Sequence, residues 1–182
     1  SVYVRNSIVR MRSQGKWGFM GFGISELAVS KGTLGICPAP GRSGNYAGDM
    51  EVIYRWRPDI VVTMTEHCEL ETIGAATLAS DLETNGVAWV PFPVSDFGVP
   101  NGEALAQWPD VSTCLSDILD HNGRVLVHCR GGCGRSGMVA LRLMTEIGEM
   151  PDTALGRLRS VRPCAIETQA QMDWAMAGAD QN

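Results

Sequence analysis

Histidine, CxxC pairs and long apolar runs are what this sequence has least of, and each shortage removes a class of function. Only His67, His121 and His128 occur, and no cysteine pair has metal-finger spacing, so no zinc-type ligand set can be assembled and neither metal nor other cofactor is expected. No apolar stretch approaches the roughly 20 residues of a membrane-spanning helix. The opening Ser1-Val2-Tyr3-Val4-Arg5 lacks the uninterrupted apolar core of a signal peptide, so the expectation is a cytoplasmic location without membrane association. A net charge of -5 provides no broad basic field. That argues against nucleic acid as a partner and requires any anion site to be built locally. Six cysteines in a 182-residue chain that can bury its own core need no cross-links, and reduced thiols are expected.

What is present reads as one domain over residues 1–182, expected to be a monomer, with residues 1–32 as an extension of unassigned structure. Apolar, β-branched runs at Thr33–Cys37, Ile60–Met64, Val87–Val90 and Arg124–His128 have the length and composition of buried strands. Helix-forming stretches separate and follow them: Tyr46–Arg57, Glu69–Asn85, Gly102–His121, Gly134–Glu149, Pro151–Val161 and about Glu167–Ala179. Strands alternating with helices predict an α/β fold, a central and mostly parallel twisted sheet flanked by helices. Pro- and Gly-rich breaks directly after the strands mark the rim where sites sit. Trp17, Trp56, Trp89 and Trp174 are read as packing residues.

The segment that carries chemistry is Val127-His128-Cys129-Arg130-Gly131-Gly132-Cys133-Gly134-Arg135-Ser136-Gly137. It leaves a strand and enters a helix through a glycine-rich turn, whose backbone N–H groups can converge on an anion at the positive end of the helix. Arg135, six positions after Cys129, can turn its guanidinium fork onto the oxygens of a phosphate whose phosphorus faces the sulfur. The thiolate is the attacking species, and the amides, the helix end and Arg135 all favour that ionised form. Arg130, Gly131, Gly132, Cys133 and Gly134 supply the anion-binding backbone. Ser136 is placed to hydrogen-bond the sulfur and ease its departure, and His128 to hold the loop.

His128-Cys129, five residues, then Arg135-Ser136 resembles the signature of the cysteine-dependent protein-tyrosine and dual-specificity phosphatases. Pro91 to Pro100 is similar to the acid-bearing loop of the kinase-associated dual-specificity phosphatases, and Ala165 to Gln171 to the water-positioning segment of tyrosine phosphatases. The resemblance implies a protein-tyrosine-phosphatase-like fold, a cysteinyl-phosphate intermediate, and a phosphorylated protein or peptide as substrate. It also implies an aspartate that first protonates the leaving oxygen and then activates water. Asp96, in a Pro/Gly-bounded loop after a strand, is preferred for that role over Asp110, which is read as a cap opening a helix. Glu167 stands where tyrosine phosphatases carry a water-positioning glutamine, so either Glu167 or Gln171 takes that task.

Two other readings remain beside the protein phosphatase. A phosphoinositide or RNA 5′-phosphatase would share the chemistry, but this loop carries one cation, Arg130, besides the clamp. A non-catalytic phosphoprotein-binding module would have no need of Cys129, Arg135 and Asp96 together. Cys68 and Cys133 are the thiols that would trap an oxidised Cys129 as a disulfide.

Overall fold

A computed structural model describes residues 21–181. Its strands are β1 (Ser25–Val29), β2 (Gly32–Pro38), β3 (Ile60–Thr63), β4 (Ala88–Pro91) and β5 (Arg124–Cys129). They form one sheet in the order β1-β2-β5-β3-β4, with β1 antiparallel to β2 and every other pairing parallel. The helices are α1 (Tyr46–Trp56), α2 (His67–Thr72), α3 (Leu78–Thr84), α4 (Gly102–Asp120), α5 (Gly134–Glu146), α6 (Pro151–Val161) and α7 (Gln169–Met176), followed by a 3-10 turn at Ala177–Gln181.

The two-residue period of the strands divides their side chains between two cores. Leu34, Ile36, Ile60, Val62, Val125, Val127 and Cys129 face the layer of α4 to α7. Cys37, Val61 and Leu126 face Met50, Ile53, Leu70, Leu78 and Leu82 of α1 to α3. Burial on both faces explains why the central strands read as continuous apolar runs. Each fully buried aliphatic side chain contributes about 1.5–3 kcal/mol, and β5, fully buried from Val125 to Cys129, runs through the middle of the sheet. The position of Cys129 is therefore fixed by a deeply packed central strand.

The structure departs from the sequence reading at three places. The proposed extension of residues 1–32 contains β1, an edge strand whose alternating exposure left too few apolar residues for a strand signal; residues 1–20, Trp17 among them, lie outside the described residues. The single helix expected over Glu69–Asn85 is two, α2 and α3, because the chain turns through Gly74 in the left-handed region (φ 74) and the Ala75 N–H donates back to the Leu70 carbonyl at 2.9 Å. Asp110 does not cap a helix. The helix begins at Gly102 and continues through Pro109, leaving Asp110 exposed in its interior.

At the start of α5, Gly137 packs directly on the Ala165–Ile166 backbone. A Cβ there would lie 2.8 Å from the Ile166 nitrogen and 2.9 Å from the Ala165 Cα, atoms that cannot rotate away. Gly137→Ala is expected to destabilise the fold by roughly 1–3 kcal/mol, measured by chemical denaturation; unchanged stability would mean that the helix and this segment are not in contact.

Candidate active site

Cys129 ends β5, and the chain then folds over it before α5 begins at Gly134. The loop's carbonyls are all tied outward. The Arg130 carbonyl accepts from the Ala39 N–H at 3.2 Å, the Gly131 and Gly132 carbonyls from the Arg162 guanidinium at 2.9 and 2.7 Å, and the Cys133 carbonyl from the Ile166 N–H at 3.3 Å. Because the N–H of each planar peptide points opposite its C=O, the amides of Gly131, Gly132, Cys133 and Gly134 turn inward. Among the described residues those amides have no acceptor. With the N-terminus of α5 behind them, they form an anion-binding nest. Gly132 is required twice over: its φ is 69°, and a Cβ would meet the Cys37 carbonyl carbon and oxygen at 2.6 Å.

Arg135 is 2% exposed and held from several sides. Its Nη1 and Nη2 donate to the two carboxylate oxygens of Glu69 at 2.7 and 2.9 Å, Nη1 donates also to the Val94 carbonyl at 2.9 Å, and Nη2 lies 3.1 Å from Asp96 Oδ1. Nε has no partner among the described residues. The fork is thus aimed by Glu69, with Nη2 shared between Glu69 and Asp96 and Nε left available for an oxyanion. Burial works against the charge of Arg135, but the Glu69 hydrogen bonds and the neighbouring Cys129, Glu69 and Asp96 raise its pKa above the ordinary arginine value. Burial likewise pushes the Glu69 carboxyl upward, and the Arg135 hydrogen bond, the Glu66 amide and the charges of Arg135 and Arg130 bring it below the usual glutamate range.

The other predicted residues gather around this pair. Ser136 Oγ lies 3.3 Å from Cys129 Sγ. Arg42, Asp96, Phe97, Cys129, Arg130, Gly131, Cys133, Arg135 and Glu167 line one open cavity of about 180 Å³. Gln171 does not line it. Its side-chain oxygen accepts from the Glu167 and Thr168 amides at 3.0 and 3.3 Å, and its Nε2 donates to the Gly98 carbonyl at 3.2 Å. Gln171 therefore pins the acid-bearing loop to the segment carrying Glu167. A Cβ on Gly134 would meet Glu167 Oε2 at 2.2 Å, so this glycine lets that carboxylate come over the loop.

Sequence reasoning missed Glu69 and Arg162. A glutamate in a helical stretch and an arginine at a helix end carry no local signal, because both act across long sequence separations. It also gave the wrong state for two cysteines: Cys133 and Cys164 form a disulfide, which corrects the expectation of reduced thiols and leaves Cys133 engaged with Cys164 rather than free to trap Cys129. The physical reason is tertiary, since the turn after α6 brings Cys164 to the loop. Cys68 is exposed on α2 and does not line the cavity. Cys37 is buried, and burial pushes its thiol well above the ordinary range, with Arg162 opposing and Cys129 adding to the shift, so it is inert. Among the described residues no cluster of His, Cys, Asp and Glu could hold a metal ion.

His128 ties the end of β5 to β3. The Cys129 carbonyl can only accept, so the ring proton sits on Nδ1, 3.4 Å from it, and Nε2 accepts from the Thr63 hydroxyl at 2.8 Å, whose oxygen in turn accepts from the Trp89 indole N–H at 2.9 Å. That chain requires a neutral ring. Burial, aided by Arg135, lowers the His128 pKa from 6.5 to about 4 against the opposing hydrogen bond to Cys129 and charge of Glu69. The unfolded chain takes up the proton below about pH 6.5 and the folded chain only near pH 4. Stability contributed by the neutral ring is therefore full above pH 6.5, falls between 6.5 and 4, and is gone below 4, a loss of roughly 3 kcal/mol. Denaturation of wild type and His128→Asn at pH 7 and pH 4.5 is expected to show a smaller acid loss in the variant; equal losses would contradict the buried neutral ring.

The chain is similar to several known proteins. A family model described as polymorphic toxin system, DSP-PTPase phosphatase, matches residues 39–148. Over 120 residues the chain is 31% identical to putative tyrosine phosphatase 067L of Invertebrate iridescent virus 3, covering 63% of this chain and 47% of that protein. Over 150 residues it is 29% identical to cyclin-dependent kinase inhibitor 3 of Rattus norvegicus, covering 78% and 69%. The chain thus spans about half the length of the viral relative. Among solved structures it resembles kinase associated phosphatase (KAP) carrying a serine for its catalytic-site cysteine, with TM-score 0.78, 24% identity and coverage of 90% of this chain and 97% of that one. It also resembles the active form of Tk-PTP, with TM-score 0.64, 27% identity and coverage of 87% and 98%. These likenesses bear out the expected α/β fold.

Proposed function

Because the chain belongs to the polymorphic-toxin-system family of DSP-PTPase phosphatases, we propose that it hydrolyses phosphomonoesters on proteins through a cysteinyl-phosphate formed on Cys129. The observation that carries this reading is the convergence of Cys129 Sγ, four inward amides and a guanidinium pinned by Glu69 on one cavity. A phosphate dianion has four donors from the loop and Nε of Arg135, joined by Nη2 when Asp96 turns to the ester oxygen, and the same donors hold the equatorial oxygens in the transition state. The sulfur attacks phosphorus in line with the ester oxygen. Asp96 donates its proton to that oxygen as the bond breaks.

In the second step water attacks the phosphocysteine, with Asp96 now accepting a proton and the Ser136 hydroxyl stabilising the departing thiolate. Of the two residues left open for positioning that water, Glu167 is the better assignment, because its side chain lines the cavity whereas the amide of Gln171 is committed to Glu167, Thr168 and Gly98. Gln171 acts by holding both loops. Phosphorylated protein is favoured as substrate over phosphoinositide by the names of the curated relatives and by a loop with one cation beyond the clamp. Family membership further suggests that the chain is the phosphatase of a polymorphic toxin system.

The test is turnover of p-nitrophenyl phosphate and of phosphopeptides. Cys129→Ser is expected to abolish it, Asp96→Asn to lower kcat by about 10²–10⁴-fold and to remove the basic limb of the pH profile, and Asp110→Asn to stay within about twofold of wild type. Undiminished turnover in Cys129→Ser would refute the mechanism, and a loss in Asp110→Asn as large as in Asp96→Asn would overturn the choice of acid.

A further inference from the structure

The Cys133–Cys164 disulfide joins the anion-binding loop to the segment that carries Glu167 and Gln171. That junction already has other ties: Arg162 on two loop carbonyls, the Ile166 N–H on the Cys133 carbonyl, and the close seat of Gly137 on Ala165. Its two ends also differ in surroundings. Cys164 is exposed, whereas Cys133 lines the active cavity and is the N-cap residue of the 13-residue α5.

We propose that this disulfide is a reducible switch on phosphate binding, closed in the active protein and opened by a dithiol reductant. The activity readout rests on the phosphatase reading; phosphate binding does not. A thiolate of the reductant attacks Cys164 Sγ, the Cys133–Cys164 bond breaks, and Cys133 leaves as a thiolate. The reductant's second thiol then attacks the mixed disulfide, releasing Cys164, which takes up a proton, and the reductant becomes an internal disulfide. Two electrons pass to the protein.

Departure from Cys133 is favoured because the new thiolate sits at the positive end of α5. The same position makes it harmful to function. A second anionic sulfur beside Cys129 repels the incoming phosphate dianion, and the Glu167 segment loses one of its ties. Cys129 stays reduced in both states, so here a reductant lowers activity instead of protecting it. Disulfides persist in oxidising compartments and are reduced in the cytosol, so the switch makes activity depend on the compartment.

The test uses the full chain in anaerobic buffers of reduced and oxidised dithiothreitol, with the bond followed by alkylation and mass spectrometry. The Kd of inorganic phosphate is measured by calorimetry and kcat/KM with p-nitrophenyl phosphate. Opening the bond is expected to raise the Kd at least threefold, lower kcat/KM in parallel, and reverse on reoxidation. Cys164→Ser, which keeps the Cys133 thiol, is expected to show the weak Kd at every redox setting. An unchanged Kd with the bond open, or a weaker Kd only where thermal unfolding shows the fold lost, would overturn the switch. A redox-dependent Kd without turnover in any state would sink the phosphatase reading and leave the switch standing.

Discussion

The ion pair between Arg135 and Glu69 is the constraint on which the rest of the site depends. A guanidinium 2% exposed is tolerated inside a protein only when its charge is matched and its protons are used, and breaking such a pair by removing one partner costs about 3–5 kcal/mol. Glu69 meets that requirement with two parallel hydrogen bonds, and the Val94 carbonyl takes a further proton. The outcome is a cation that cannot swing away and yet keeps Nε for a ligand. Asp96, on the same guanidinium, is thereby brought next to the Cys129 loop, so one arginine positions both residues proposed as clamp and acid.

The sheet explains why these residues meet. Arg42 follows β2, Glu69 lies in α2 after β3, Asp96 follows β4, and Cys129 ends β5 with the loop to Arg135 after it. Parallel strands end on the same rim, so four separate loops open onto one crevice, the usual location of sites in open α/β sheets. From the far side, Arg162 draws the loop carbonyls outward and Gln171 ties Gly98 to Glu167. The nest is held in its anion-binding form by protein groups, which is the preorganisation that electrostatic catalysis needs.

Much of this was legible in the sequence because it is local. The strands of the central sheet, the loop from His128 to Ser136 and the preference for Asp96 over Asp110 all rest on composition and spacing within short windows. In the structure Asp96 reaches Arg135, whereas Asp110 lies on α4. Three features were not legible, each for a physical reason. Glu69 and Arg162 act on residues far away in the chain, so no periodicity marks them. The Cys133–Cys164 bond depends on where the turn after α6 lands. The edge strand β1 is half exposed and pairs on one side only, which removes the apolar run that identifies a buried strand. Glu167 and Gln171 fall between these cases: sequence named both, and only their hydrogen bonds separate a residue at the cavity from one that positions the loops.

The central claim is that Cys129 becomes the phosphate carrier. Rapid acid quench during turnover of a phosphopeptide, followed by peptide mapping under conditions that preserve thiophosphate esters, tests it most directly. The account predicts a phosphate adduct on Cys129, present in wild type and enriched in Glu167→Ala, where attack by water is slowed relative to formation of the intermediate. Turnover with no adduct on Cys129, or with phosphate on another residue, would contradict it.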